Sequence, residues 1–587
     1  MIRQDNQTVN RHTVRRMLRY AKPYIGTFIF VLLLSMGNVA LELYQPELLE
    51  QATNAIVYKS ATTHDIVILG LKYLATVLGT FALTFGQITT LSIVGQKIIY
   101  NMRTDIFHHL TTLHMGFFND NPIGRLVTRV TNDCETVNEM FTSVIVNLVS
   151  SSCVLIGVIA IMVGKHARLS LAIFSVIPFI IASTLIFTKV TRRLYRAIRA
   201  RISELNAFVA EHVSGMKVVQ IFTAEEDTEK EFKTQSEELR KANIRQLICF
   251  SLYSPIHTIL NIASLLILLI YGGKLVAGGA ILVGTIVAFQ RYTTKFFDPI
   301  QELAENFNVI QSAAAAAERI FWIMDTQPEI TDDPQAVSMD HFEGHIEFKN
   351  VWFAYNKGEW VLKDVSFEVL PGQKVAFVGE TGAGKTTIQN LICRYFDIQK
   401  GQILIDGVDV RKIKTADLRR NIGQMLQDVF LFAGDIKSNI RLNEEGISDA
   451  EVIEAAKYVN ADGFISNLDG AYDHEVIERG AAFSAGQRQL LSFARTLAFK
   501  PSVLILDEAT ANIDTETEAL IQDALGKLME GRTNIIVAHR LSTIQNCDKI
   551  IVMHKGEIVE EGSHQELLAK GGTYFKLYKL QYEHLNN

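Results

Sequence analysis

The sequence predicts two kinds of structure in one chain: an α-helical transmembrane domain with six spans, followed by an α/β domain of the phosphate-loop type. Three observations lead to this prediction. The 587 residues are 48% hydrophobic and only 20% charged, which is more apolar than usual for a soluble protein of this length. The first half contains long uncharged stretches, and the second half contains a glycine-rich motif. We place the transmembrane domain at residues 1–323, a linker at 324–343 and the α/β domain at 344–587.

Net charge and cysteine spacing argue against two other classes of protein. The formal net charge is −6, so the composition does not favour a nucleic-acid-binding surface, and we predict no nucleic-acid partner. The five cysteines show neither CxxC nor metal-ligand spacing, which indicates reduced structural thiols.

The membrane spans are predicted from stretches that lack Asp, Glu, Lys and Arg. These stretches are residues 23–41, 73–96, 140–164, 169–188, 246–273 and 275–290. Five of them are long enough to cross a hydrocarbon core of ~30 Å. The last reaches that length if it continues through Arg291 and Lys295 to Phe297, with both cations facing a cavity or the interface.

The distribution of basic residues predicts the orientation. The N-terminus and the connections 97–139 and 189–245 hold most of the Lys and Arg of the first half, so we place them in the cytoplasm. After six spans the α/β domain also lies in the cytoplasm, which makes the chain a multi-pass protein of the cytoplasmic membrane in contact with the lipid bilayer. Residues 1–22 predict a short amphipathic helix on the membrane surface, with a solvated charged face as the alternative.

Polar residues within the expected spans are candidates for a substrate path, because polar groups are costly in lipid and tend to face water or the protein interior. Hydrogen bonding between helices is the alternative for most of them. Glu42 stands apart, since a carboxylate at the end of a span is suited to meet a cationic substrate. The set is Glu42, Gln45, Gln87, Asn147, His257, Asn261 and Gln290.

The glycine-rich motif matches G-x-x-x-x-G-K-[ST] between an apolar run and a helical pattern. Its backbone N–H groups and the following helix N-terminus suit nucleotide phosphates, Lys385 supplies a cation, and Thr386 places a hydroxyl on Mg²⁺. We therefore predict ATP and Mg²⁺ as cofactors. The predicted contact residues are Gly379, Glu380, Thr381, Gly382, Ala383, Gly384, Lys385, Thr386 and Thr387.

Further candidates lie at strand ends, where α/β sheets bind ligands. The apolar strand from Val503 ends in Asp507, predicted to hold Mg²⁺, and Glu508, predicted to orient or deprotonate the attacking water. Gln427 follows another strand and is suited to reach the metal or the γ-phosphate. His539 ends a third strand and is suited to contact the γ-phosphate, although a histidine at a strand end is often structural.

The segment Phe483-Ser484-Ala485-Gly486-Gln487-Arg488-Gln489 resembles the signature L-S-G-G-Q of ABC proteins. Two segments of the first half, from Met115 to Asp133 and from Glu211 to Phe222, resemble the cytoplasmic coupling segments of ABC exporters. In this order the motifs are similar to an ABC exporter with its membrane domain first over nearly the whole chain.

The resemblance implies ATP-driven outward transport by two nucleotide domains that close head to tail over two ATP molecules. Tyr355 then matches the adenine-stacking aromatic, although an isolated strand tyrosine more often belongs to the core. Gln427 matches the Q-loop, residues 475–480 the X-loop and Asp514 the D-loop. Ser484, Ala485, Gly486 and Gln487 would face the ATP held by a second chain.

One departure from the family pattern is Ala485, where the signature usually has Gly. A Cβ there would crowd or re-aim the backbone N–H groups that approach a γ-phosphate. Because Lys385, Glu508 and His539 are intact, the chain resembles the subunit of a heterodimeric bacterial multidrug exporter that carries the catalytic glutamate. The expected function is export of hydrophobic or amphipathic small molecules together with a second half-transporter; the alternative is a homodimeric exporter of lipids or lipid-like compounds.

Overall fold

The computed structural model describes residues 11–426, 428–507, 515–537 and 544–585, which form two compact units. The first unit contains residues up to Leu110 together with Gly124–Asp325. The second contains Thr111–Ile123 together with residues from Thr326 onward. A short segment of the expected transmembrane domain thus belongs to the second unit, and the first unit ends at Asp325, inside the expected linker.

The first half of the sequence folds into helices, as predicted. Short π-helical segments lie at Arg129–Asp133, Met140–Val144 and Leu268–Gly272. In chain order the α-helices are α1 (Arg11–Ala21), α2 (Ile25–Val57), α3 (Thr63–Thr112), α4 (Met115–Asp120), α5 (Ile123–Thr128), α6 (Cys134–Glu139), α7 (Ile145–Phe174), α8 (Ile177–Ser214), α9 (Met216–Ile221), α10 (Glu225–Ile267), α11 (Gly273–Ala277) and α12 (Val283–Asp325).

Four helical stretches of the described chain are long and apolar enough to cross a membrane: Arg15–Val57, Thr63–Thr112, Ile123–Phe174 and Glu225–Ala277. They contain the first, second, third and fifth expected spans. The fourth expected span is divided, because α7 ends at Phe174 and α8 begins at Ile177. The sixth expected span, 275–290 with its continuation to Phe297, is also divided, because α11 ends at Ala277 and α12 begins only at Val283. Charged side chains reduce the apolar character of its α12 part. The total of six spans therefore stays a prediction.

The connections 45–65 and 165–168, which the predicted orientation places on the outer side, contact each other within the first unit. Lys165, in the connection after the third expected span, contacts Glu47 at 2.6 Å and Glu50 at 2.9 Å on α2. Thr285, near the start of α12, donates a hydrogen bond to Glu50 Oε1 at 2.8 Å. Two carboxylates thus neutralise Lys165, so this lysine is compatible with the predicted orientation, which places it on the side that basic residues disfavour.

A buried carboxylate links α12 to the segment after α5. Arg319 donates to both oxygens of Asp133, from Nε at 2.9 Å and from Nη2 at 2.5 Å. Arg129 donates to Asp133 Oδ2 at 2.8 Å. Because removing one partner of a buried charged network leaves an unpaired charge, this contact holds the two elements together.

The second unit is the predicted α/β domain. Its strands are β1 (Ile346–Phe353), β2 (Leu362–Val369), β3 (Lys374–Gly379), β4 (Lys400–Ile405), β5 (Val408–Asp409), β6 (Ile422–Met425), β7 (Gly434–Asp435), β8 (Glu475–Val476), β9 (Val503–Asp507), β10 (Thr533–Val537), β11 (Lys549–His554) and β12 (Glu557–Gly562). Its further helices are α13 (Lys385–Ile392), α14 (Thr415–Arg420), α15 (Ile436–Arg441), α16 (Asp449–Tyr458), α17 (Asp462–Ile465), α18 (Ala485–Ala498), α19 (Thr515–Met529), α20 (His564–Lys570) and α21 (Thr573–Leu585).

The main sheet has the strand order β12-β11-β3-β10-β9-β6, and only β12 is antiparallel to its neighbour. A second sheet has the order β2-β1-β4-β5. Alternate residues of β3 enter two different hydrophobic clusters, Val375 and Phe377 on one face and Ala376 and Val378 on the other. This explains why the strand is a continuous apolar run, since both of its faces are buried.

The segment Thr111–Ile123 packs within the second unit. The His114 Nδ1 atom accepts a hydrogen bond from the backbone N–H of Glu329 at 3.3 Å. A Cβ added at Gly116 would lie 3.3 Å from Cε1 of Phe396. Part of the expected linker also packs within the second unit, where Asp332 accepts a hydrogen bond from the backbone N–H of Thr415, the first residue of α14, at 3.0 Å.

Candidate functional site

The glycine-rich motif forms a tight loop between β3 and α13. Gly382 and Gly384 have φ angles of +84° and +106°, in the left-handed region that favours glycine. A Cβ at Gly379 would lie 2.3 Å from the Met553 carbonyl oxygen, so this position has no room for a side chain. Glu380, Thr381 and Gly382 are exposed at the mouth of the loop, whereas Ala383 is buried. A concave backbone loop ahead of a helix N-terminus fits the phosphates of a nucleotide.

Lys385, the first residue of α13, is folded back into the loop. Its ammonium donates to the carbonyl oxygens of Gly379 at 2.5 Å and Glu380 at 3.1 Å, and the residue is only 6% exposed. Burial lowers the pKa of Lys385, and the negative charge of Asp507 opposes that shift. The lysine is thus placed where it can exchange carbonyl partners for phosphate oxygens.

Tyr355 lies next to α13 with its ring partly open to solvent. The residue is 46% exposed, which contradicts the alternative that it is a core tyrosine. Its hydroxyl lies 3.2 Å from the hydroxyl of the buried Thr387 and accepts a hydrogen bond from Asn390 at 3.4 Å. The rings of Phe353 and Phe396 pack edge-to-face against it, with centroids 4.8 and 5.0 Å away. The ring is therefore fixed by two aromatic neighbours and by its hydroxyl while nearly half of the residue stays exposed, which leaves it available for stacking on a base.

The parallel sheet brings the other predicted strand ends to the edge that carries the loop. Strand β9 ends at Asp507, which pairs in register with Val537 at the end of β10, and β10 in turn pairs with β3. Strand β6 pairs with β9 and ends at Met425. The predicted residues Gln427, Glu508 and His539 follow β6, β9 and β10 in sequence but lie outside the described residues, as does Asp514. Thr386, the other predicted Mg²⁺ ligand, is exposed at the start of α13.

The signature-like segment forms the start of α18. Ser484 is the residue before the helix; its hydroxyl accepts from the Gln487 backbone N–H at 3.2 Å, and the Gln487 side chain accepts from the Ser484 backbone N–H at 2.9 Å. Ser484 and Ala485 are exposed, whereas Gly486 is buried. The reciprocal bonds satisfy two backbone donors of the helix end. The methyl group of Ala485 thus lies on the exposed surface of the first turn.

Residues 475–480, which match the X-loop, include a strained backbone position. Arg479 has a φ angle of +61°, and its guanidinium lies 5.6 Å from the ring centre of Phe430. A Cβ at Gly480 would lie 2.6 Å from a side-chain carbon of Leu431. The segment 478–480 therefore packs against residues 430–431, which follow the position predicted for the Q-loop.

A polar cavity of about 360 Å³ lies among the helices of the first unit. It contains three of the seven polar residues predicted for a substrate path, Glu42, Gln87 and Asn147. Glu42 accepts a hydrogen bond from Asn38 at 3.1 Å and lies 3.5 Å from the Lys295 ammonium. The full lining is Asn38, Glu42, Thr84, Gln87, Ile88, Asn147, Ser150, Ser151, Val154, Lys295, Asp298, Pro299 and Glu302.

Two carboxylates of this cavity, Asp298 and Glu302, were not predicted from the sequence. Glu302 accepts a hydrogen bond from the Ser151 hydroxyl at 2.7 Å. The expected sixth span ended at Phe297, so both lay just beyond it. A helical projection of α12 is the signal that could have found them, since Lys295, Asp298 and Glu302 follow each other at helical spacing.

Two family models match the chain. One is described as the ABC transporter transmembrane region and matches residues 28–300. The other is described as ABC transporter and matches residues 362–511. The second match includes the phosphate loop, the signature-like segment and the β9 strand end.

Curated bacterial proteins are similar over most of their length. "Uncharacterized ABC transporter ATP-binding protein YfiC" of Bacillus subtilis is 38% identical over 97% of this chain and 94% of its own length. "Probable multidrug resistance ABC transporter ATP-binding/permease protein YheH" of the same species is 37% identical over 85% of this chain and 74% of its own length. "ATP-dependent lipid A-core flippase" of Syntrophus aciditrophicus is 36% identical over 85% of this chain and 83% of its own length.

Proposed function

Since the chain belongs to the ABC transporter family, with a helical membrane region followed by an ATPase domain that couples ATP hydrolysis to transport, we propose that it is one half of a heterodimeric exporter. Its substrates are hydrophobic or amphipathic compounds that carry a positive charge, and it moves them outward across the cytoplasmic membrane. The N-terminus and the nucleotide domain lie in the cytoplasm.

The heterodimer proposal rests mainly on the position of Ala485. Its methyl group occupies the exposed first turn of α18, where backbone N–H groups would approach a γ-phosphate held by the second chain. The ATP bound by the partner's phosphate loop therefore meets an impaired signature. The ATP bound here meets the partner's signature, so that site does the hydrolysis.

The residues of this chain have separate roles at the hydrolytic site. Lys385 and the loop N–H groups bind the phosphates, and Tyr355 stacks on the adenine. Thr386, Gln427 and Asp507 hold Mg²⁺, which supplies charge neutralisation at the transferring phosphoryl group. Glu508 orients and deprotonates the water, His539 contacts the γ-phosphate, and Asp514 lies at the contact with the second chain.

The charges of the membrane cavity support a cationic substrate. Glu42, Asp298 and Glu302 line it with a single cation, Lys295. A positively charged amphiphile would pair with these carboxylates, which outnumber the one lysine of the lining. A lipid substrate that carries negative charge would instead add to the charge of these carboxylates, so within the flippase alternative the cavity disfavours anionic lipids.

Site asymmetry in the complex tests the heterodimer. The chain is expressed alone and together with the neighbouring half-transporter, and stoichiometry and ATPase activity are measured after purification. Lys385→Ala in this chain is expected to abolish nearly all turnover, whereas the matching lysine substitution in the partner leaves a measurable part. A stable, fully active assembly of this chain with itself would refute the heterodimer.

The cavity is tested separately by transport into inside-out vesicles. Glu42→Gln is expected to slow transport of a cationic dye about tenfold, the scale of one lost charge-assisted hydrogen bond, and to leave a neutral amphiphile unaffected. The control is Glu139→Gln, an exposed carboxylate that is not part of the cavity lining. Equal slowing of both compounds would contradict charge recognition.

A further inference from the structure

A second large cavity, of about 860 Å³, opens beside α1 at the point where the chain enters the first expected span. Four cations line it, Arg15, Arg16, Arg19 and Lys22. Arg15, Arg19 and Lys22 are exposed, and within the described ranges none of these three forms an ion pair with a carboxylate. The cavity therefore presents positive charge that the described protein does not neutralise.

Helix α1 is anchored to the first unit, so this charge is held in one place. Arg16 lies 2.5 Å from Asp325 at the end of α12, and its guanidinium lies 4.2 Å from the ring centre of Phe321. Met17 is completely buried. On the next turn, the Tyr20 hydroxyl donates to Asp105 at 3.0 Å.

Apolar surface continues directly from the basic cavity. Ile25 belongs to the lining and is 51% exposed, and Leu18 is 48% exposed. Further along α2, Ile29 and Leu33 are 54% and 65% exposed. With a spacing of four residues, Ile25, Ile29 and Leu33 form one stripe along the helix. A cationic pocket thus opens onto an apolar stripe of a candidate membrane span.

We propose that this cavity binds an anionic phospholipid of the cytoplasmic leaflet. The phosphate of the headgroup lies among Arg15, Arg19 and Lys22, and an acyl chain lies along Ile25, Ile29 and Leu33. The charged residues stop at Lys22, where the uncharged stretch begins, so the site lies at the depth of lipid headgroups. A soluble phosphate compound would use the cations but not the apolar stripe, which is why the lipid is favoured.

Lipid retention tests the proposal on the full chain, purified with its partner if the complex requires one. The protein is exchanged into nanodiscs of phosphatidylcholine containing a minor fraction of phosphatidylglycerol, and bound lipids are counted by native mass spectrometry. The variant R15Q/R19Q/K22Q is expected to lose on the order of 10²-fold in affinity for phosphatidylglycerol, since each cation near the surface contributes about fivefold. The control K412Q/K457Q/K570Q removes the same charge from exposed positions of the second unit and is expected to retain the lipid.

Single substitutions keep the test decisive if the triple variant does not fold. Arg19→Gln alone is expected to lower affinity about fivefold. Ile29→Ser is expected to weaken retention of phosphatidylglycerol while the cations remain. The proposal would be overturned if the triple variant and the unaltered protein retained phosphatidylglycerol equally. It would also be overturned if the unaltered protein retained phosphatidylcholine as well as it retains phosphatidylglycerol. Displacement of the lipid by millimolar inorganic phosphate would also overturn it, because it would show that a free anion suffices.

Discussion

Tyr355 and Thr387 are joined through their hydroxyl groups, whose oxygens lie 3.2 Å apart. This contact connects the residue expected to stack on adenine to the third residue of the helix that begins at the phosphate loop. The elements proposed to contact the two ends of a bound nucleotide therefore hold each other in position. Pre-ordered contacts of this kind reduce the cost of arranging a site when its ligand binds.

We predict that Tyr355→Ala weakens ATP binding by about 1 kcal/mol, the scale of an aromatic contact. Tyr355→Trp keeps a ring and should be tolerated. Tyr355→Phe removes only the hydroxyl, so its affinity for ATP should lie between those of Tyr355→Ala and Tyr355→Trp. Equilibrium binding of a fluorescent ATP analogue measures all three, and equal loss in Ala and Trp would indicate a packing role instead.

Glu508→Gln is expected to lower ATP turnover by at least ~10², the scale of losing a positioned general base, while ATP still binds. The residue directly follows Asp507, which the structure places at the sheet edge of the phosphate loop. ATPase assays on the purified complex, with nucleotide retention measured in parallel, provide the check. Glu557→Gln, an exposed carboxylate in β12, is the control and should be neutral. Turnover near normal in Glu508→Gln would remove the residue from the role of base.

Gly284→Ala is expected to lower the free energy of unfolding of the first unit by about 1–3 kcal/mol, the usual range for overpacking. The Gly284 backbone N–H donates to Asn54 at 2.8 Å, and an added Cβ would lie 2.3 Å from the Glu50 carbonyl oxygen. Gly70→Ala in α3 is the matched control, since no atom lies within 4 Å of its added Cβ. Thermal unfolding in detergent should separate the two variants; a similar melting temperature for both would contradict the close approach of α12 to α2.

Cys393 should resist alkylation in the folded protein. It is 3% exposed, and burial raises the pKa of its thiol to about 12. At pH 8 the thiolate fraction is then on the order of 10³-fold below that of an ordinary cysteine. Labelling increases as the pH rises towards 12 or when the chain is unfolded. A variant that retains only Cys393, reacted with maleimide before and after denaturation, tests this; rapid labelling of the folded form would show that the side chain is accessible.

The sequence predicts the nucleotide domain in detail because its signals are local. The positive φ angles of Gly382 and Gly384 follow from a motif whose glycines are needed for that turn. The surroundings of the Tyr355 ring could not be predicted in the same way, because the ring packs against Phe396, which lies 41 residues further along the chain. The sequence predicts that a Cβ at Ala485 affects the approach to a γ-phosphate, but the exposure of this residue in the first turn of α18 and the capping bonds between Ser484 and Gln487 depend on where the helix begins.

In the first unit, several features depend on contacts between helices and could not be predicted from the sequence. Because charged residues mark the ends of the predicted spans, Asp298 and Glu302 lie outside the expected sixth span, although α12 continues to Asp325. The cavity depends on which faces of α2, α3, α7 and α12 meet, and residue spacing within one helix carries no information about its neighbours. The break at residues 175–176 was also missed. Pro178, which favours the first turn of a helix, was its only local signal.

The length of α8 has a mechanical consequence. Its 38 residues extend for about 57 Å, nearly twice the ~30 Å hydrocarbon thickness. A tilt of about 10° around its N-terminal end would carry Ser214 sideways by about 10 Å, so the helix acts as a lever with a long C-terminal arm. Small reorientations near Ile177 are thereby magnified at Ser214, and displacements imposed at Ser214 reach the N-terminal end reduced in amplitude and increased in force.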